Sequence, residues 1–163
     1  MFQSEKNFFE RIASHIPGLK GYGEKEDRRD TDKRLREFMA AEVDRQRKSL
    51  EGVKRDWLSK GKLDLLDDAD RVGRKLQKTA DGLRYASYGY AGFFDQVKVQ
   101  DAELDKIYAY DSELLAAVRA LEGAIVGLGS AADSMAALAA LESAVEDLNG
   151  RIDGRKQIFN TPE

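Results

Sequence analysis

Only two prolines occur in this chain, Pro17 and Pro162, one near each end. The long stretch between them lacks the one residue that both removes an amide donor and clashes with the preceding helical turn. Helices of many turns are therefore permitted, and apolar spacing says where they run. From about Glu24 to Ser59, Leu35, Phe38, Met39, Val43, Leu50, Val53 and Trp57 recur at three- and four-residue steps. Gly61 then supplies a left-handed residue to end that helix.

A second helix is expected to open at Asp64 as N-cap, with Asp67 and Asp68 facing its positive end. Its stripe is Leu65, Ala69, Val72, Leu76, Thr79, Leu83 and Ala86, the alternating steps of a coiled-coil-like seam. A third helix starts near Asp101 and aligns Leu104, Ile107, Asp111, Leu114, Val118, Leu121 and Ile125. "GLGS" at Gly127 to Ser130 interrupts it, and Ser130 with Asp133 resembles a capping box. The fourth helix follows with Ser134, Leu138, Leu141, Val145, Leu148, Ile152 and Phe159, its last turns weakened by Gly150 and Gly154.

Short connections after the first and third helices favour antiparallel neighbours. The fold class expected is all-α: an up-down bundle of four long helices over residues 24–159, preceded by a short amphipathic segment at 1–17. A three-helix core with a flanking fourth helix is the alternative. No segment carries a strand period, and no internal repeat competes.

Composition narrows the chemistry. Without cysteine there are no disulfides, thiolate ligands or cysteine nucleophiles. The single histidine, His15, lies outside the four helices. A ferritin-like di-metal centre needs Glu-x-x-His pairs on facing helices, and a serine triad needs its imidazole, so neither is expected. No catalytic residue, cofactor or metal is assigned. "GLKGYGEK" has no preceding strand and does not match the phosphate-loop pattern, so Gly18, Gly21 and Gly23 are read as a turn into the first helix.

The formal charge is −3, but the stretch from Asp101 to Asp153 carries eleven acidic and three basic side chains. The basic remainder is expected to dock on this acidic half, within one bundle or between copies. A nucleic-acid partner is not expected from an acidic chain. "EKEDRRDTDKRLRE", Glu24 to Glu37, mixes both signs at helical spacing and reads as a solvated face. The opening residues lack a secretory pattern, and the most apolar stretch, Gly123 to Leu141, contains Asp133, so a cytoplasmic location is expected.

Three features are candidates for function. In the N-terminal segment Phe2, Phe9, Ile12 and Ile16 share a face with Phe8 at its edge, fit to pack back on the bundle, to self-associate, to bind a partner groove or to lie on a membrane surface. The block "YASYGYAGFFDQVKVQDAELD", Tyr85 to Asp105, holds Tyr88, Tyr90, Phe93 and Phe94 around turn-forming glycines. It forms either an apolar plug on the bundle end or a partner surface there. Asp111 stands at a seam position and needs a buried partner, for which Arg36, Arg47 and Arg84 are candidates. Tyr108 and Tyr110 are its hydrogen-bonding neighbours.

"IPGLKGYGEKEDRRDTDKRLRE" and "YGYAGFFDQVKVQDAELDKIYAYD" together resemble blocks in a family of uncharacterised bacterial helical proteins. The resemblance implies a bacterial source and carries no activity or site residues. The function expected is non-enzymatic, through a protein partner or homo-oligomer. The alternatives are membrane-surface association through the N-terminal segment, and a small-ligand binder or enzyme using Asp111 and nearby tyrosines.

Overall fold

The computed structural model describes residues 7, 10–11, 14, 16–19, 21, 27–86 and 101–160, with backbone alone at 101–104, 156 and 158–160. The described chain is all-helical, and no strand occurs among the described residues. Four long helices carry it: α1 Arg28–Ser59, α2 Leu66–Arg84, α3 Asp101–Leu128 and α4 Ser134–Asn160. No helix among the described residues is long and apolar enough to cross a membrane.

The seams read from spacing are the buried faces. Leu35, Met39, Val43, Leu50 and Trp57 of α1 join Ala69, Val72, Leu76 and Leu83 of α2 in one core. Ile107, Leu114, Val118, Leu121 and Ile125 of α3 and Leu138, Leu141, Val145, Leu148 and Ile152 of α4 complete it. The principal contacts pair α1 with α2 and with α3, and α4 with α2 and with α3. Each helix thus buries its stripe between two neighbours, where every large aliphatic side chain contributes about 1.5–3 kcal/mol.

The helix ends follow local chemistry, with two differences from expectation. Gly61 has φ 74°, and its N–H donates to Leu58 O at 3.1 Å while that of Lys62 reaches Trp57 O at 2.9 Å. These two bonds satisfy the last carbonyls of α1 in a Schellman arrangement. Asp64 does not cap α2: it lies in a 3₁₀ turn, Leu63–Leu65, that precedes the helix. At α4 the cap is Asp133 rather than Ser130. Asp133 Oδ1 accepts from the Ala136 N–H at 3.1 Å, and a carboxylate there also faces the positive helix end.

The residues on either side of Pro17 and Gly18 pack on the core. Ile16 is buried within the core, and Leu19 packs against it. Gly18 and Gly21 have φ 77° and 96°, turning the chain towards α1 in a conformation that side chains disfavour.

Candidate functional site

A group of charged side chains lies buried where α1 and α3 begin and α2 and α4 end. Asp111 is fully buried on α3, and Arg155 is 1% exposed on α4. Arg155 Nε donates to Asp111 Oδ1 at 2.7 Å, and its Nη2 donates to Oδ2 at 3.2 Å. The same Nη2 lies 2.5 Å from Asp32 Oδ1 on α1. Asp32 Oδ2 accepts from Arg36 Nε at 2.9 Å, and Arg36 Nη1 donates to Leu83 O at 2.9 Å, at the end of α2. Hydrogen bonds, joined by the Arg155–Asp32 ion pair, thus connect side chains of α1, α3 and α4 with the end of α2. Arg28, also fully buried, stands one turn before Asp32.

Asp111 finds its partner in Arg155, not in the three arginines its position suggested. Arg36 is held by Asp32, Arg84 Nη2 by Asp44 Oδ2 at 2.8 Å, and Arg47 faces Asp44 at 3.7 Å. The stretch Glu24 to Glu37 is likewise not a uniformly solvated face, because Arg28, Asp32 and Arg36 are buried within it. A signal for this was present. Arg155 continues the steps of Leu148 and Ile152, and Arg28 and Asp32 continue those of Leu35 and Met39. Opposite charges at seam positions of helices that meet at one end are what the apolar pattern overlooks.

The chemistry of this group is holding. Taking ions out of water is costly, and pairing offsets the cost only when their hydrogen bonds are well made. Both Asp111 oxygens accept from Arg155, and each Asp32 oxygen faces a guanidinium. Arginine stays protonated, so the group offers no proton donor near neutral pH. Among the described residues no cluster of three or more His, Asp or Glu is arranged to hold a metal ion. Tyr110 turns away from Asp111: its hydroxyl donates to Arg151 O at 2.6 Å, and burial pushes its ionisation up.

Two neutral ties repeat the pattern along the bundle. Gln46 Nε2 donates to Val118 O at 2.7 Å, joining α1 to α3. The Thr79 hydroxyl lies 2.8 Å from Asn149 Oδ1, joining α2 to α4. Outside the core, Arg71 and Lys75 of α2 pair with Glu142 of α4, and Lys75 also pairs with Glu146. These pairs tie α2 to α4 within one chain. A groove of about 520 Å³ between α1 and α3 is lined by Glu42, Arg45, Gln46, Ser49, Arg119 and Glu122. Its polar lining lacks the apolar walls that usually enclose a small ligand.

The interaction residues expected from sequence divide in two. Ile16 is 7% exposed and belongs to the core, so it does not stand on an open face. Phe2, Phe8, Phe9, Ile12, Tyr88, Tyr90, Phe93 and Phe94 lie outside the described residues. Spacing did not single out the opposite end of the bundle, where large apolar side chains stand in solvent. Leu58, Leu63, Val126 and Met135 are 57%, 60%, 70% and 46% exposed. They come from the ends of α1 and α3, the turn before α2 and the start of α4. Beneath them Trp57, Leu65 and Leu128 are buried. No family model, curated protein or solved structure matches the chain.

Proposed function

We propose that this chain is an up-down four-helix bundle that works without catalysis, through contact with other protein surfaces, self-association included. The observation that carries the reading is the set of exposed Leu58, Leu63, Val126 and Met135 at the turn end. Single exposed apolar residues are ordinary, as Tyr85 is at 74% after the end of α2, but four from adjoining helix ends and turns make a contact surface. The buried ionic group supports the same reading, because its carboxylates are engaged within the fold. A cytoplasmic, bacterial setting accompanies this proposal.

Sedimentation velocity over a wide concentration range tests the idea, together with affinity capture from the native cell. Leu58→Glu and Val126→Glu should keep the melting temperature within a few degrees, since both side chains are exposed, and should weaken the association. Identical sedimentation and identical capture in wild type and both variants would sink the proposal.

A further inference from the structure

We propose that the groove between α1 and α3 binds a small zwitterion of the α-amino-acid class, its ammonium received by Gln46 and its carboxylate by Arg119. Gln46 is 4% exposed and lines the groove. Its Nε2 donates to Val118 O at 2.7 Å. A carbonyl oxygen can only accept, so this bond fixes which way round the amide stands and turns Oε1 away from Val118. Oε1 is buried and has no hydrogen-bond partner among the described residues. An acceptor taken out of water and left unbonded is costly to the fold, and an arriving N–H donor recovers that cost. The Gln46 amide is thus a preset receiver for a donor, held in place by the backbone of the neighbouring helix.

The rest of the lining decides what carries the donor. Besides Gln46, α1 contributes Glu42 and Arg45, and α3 contributes Arg119 and Glu122. The two helices start at the same end of the bundle, yet acid precedes base on α1 and base precedes acid on α3. Both signs therefore line a groove of about 520 Å³, roomy enough for a small molecule. A lone anion would meet two carboxylates there, and a lone cation two guanidinium groups, each with its repulsion. A ligand that carries both charges satisfies both sets. Arg45 already pairs with Glu42, so Arg119 is the guanidinium whose planar fork takes the ligand's carboxylate. The groove lies midway along α1, and the proposal does not depend on the turn-end surface.

Amide NMR of the full-length, isotope-labelled chain tests this, with each of the protein α-amino acids titrated in turn. At least one should saturate and shift the Gln46 side-chain amide. Its N-trimethyl betaine keeps both charges but has no N–H, and should bind about tenfold more weakly, the effect of one hydrogen bond to a charged group. Acetate and ethylamine, which carry one charge each, should be weaker still. Arg119 is exposed, so Arg119→Gln should keep the melting temperature while weakening the amino acid about tenfold. Gln46→Met removes the acceptor at nearly the same size and should weaken it as much, read from the backbone amides of the groove. No saturable shift with any amino acid would overturn the proposal. So would equal affinity for the betaine, or unchanged affinity in either variant, because the binding would then lie elsewhere.

Discussion

Gly150 and Gly154 sit one turn apart in α4, and the structure assigns them opposite responses to the same substitution. A Cβ on Gly150 meets nothing within 4 Å, whereas on Gly154 it would collide with Tyr110 Oη. Gly150→Ala should therefore gain the ordinary helix preference of alanine, about 1 kcal/mol. Gly154→Ala gains the same but must displace a phenol that is bonded to Arg151 O. Losing that bond costs about 0.5–1.5 kcal/mol, and bending the side chain off its rotamer costs a similar amount. The net result for Gly154→Ala is a change between about zero and a loss of 2 kcal/mol, so the two variants differ by about 1–3 kcal/mol. For a chain of this size each kcal/mol moves the melting temperature by roughly 2–4 °C. Tyr110→Phe removes the obstructing hydroxyl, and in that background Gly154→Ala should recover most of the alanine gain. Urea unfolding followed by far-ultraviolet circular dichroism gives all four corners of this cycle. If Gly154→Ala stabilises as much as Gly150→Ala in both backgrounds, the close passage of Tyr110 over α4 is wrong.

Three further outcomes follow from the same geometry. Asp111→Leu leaves Arg155 buried without the Asp111 carboxylate and should cost about 3–5 kcal/mol, whereas Asp111→Leu with Arg155→Leu should be the more stable protein. Asp32 keeps Arg36 in that double variant, and chemical denaturation of both proteins checks the order. Asp133→Ala removes the α4 cap and should cost about 1 kcal/mol in a thermal melt, while Ser130→Ala should be nearly silent. Burial alone would raise the Glu142 ionisation, but hydrogen bonds and charge from Arg71 and Lys75 outweigh it and hold that carboxyl below its ordinary range. A depressed folded-state value gives stability that is present above the unfolded carboxyl range and lost as pH falls through the folded value. Arg71→Ala should move the Glu142 titration upward by NMR, and its stability difference from wild type should shrink in acid.

Sequence made the helices legible because burial follows a period, and a period survives without knowledge of neighbours. Leu76, Val118 and Val145 could be assigned to buried faces from spacing alone. The ionic group was half legible. Asp111 stood out as a carboxylate among aliphatic steps, but Arg155 and Asp32 lie on other helices, and pairing across them is a tertiary fact. The cap of α4 went to Asp133 for a related reason. Two acceptable caps stood three residues apart, and only the start of the helix decides between them. For Ile16 spacing left packing on the core and an open contact face as alternatives, and its burial, 7% exposed, decides for the core at that one residue.

The buried groups of this fold obey different physics: Asp32, Asp111 and Arg155 are buried as ions, and Trp57, Leu65 and Leu128 as apolar surface. Cooling weakens apolar burial, while warming lessens the hydration that charged groups give up on burial. A change of temperature therefore tilts the balance of firmness along the bundle's length. In the cold the burial of Trp57, Leu65 and Leu128 contributes less, and towards physiological warmth the Asp32–Arg155–Asp111 group becomes relatively the more secure.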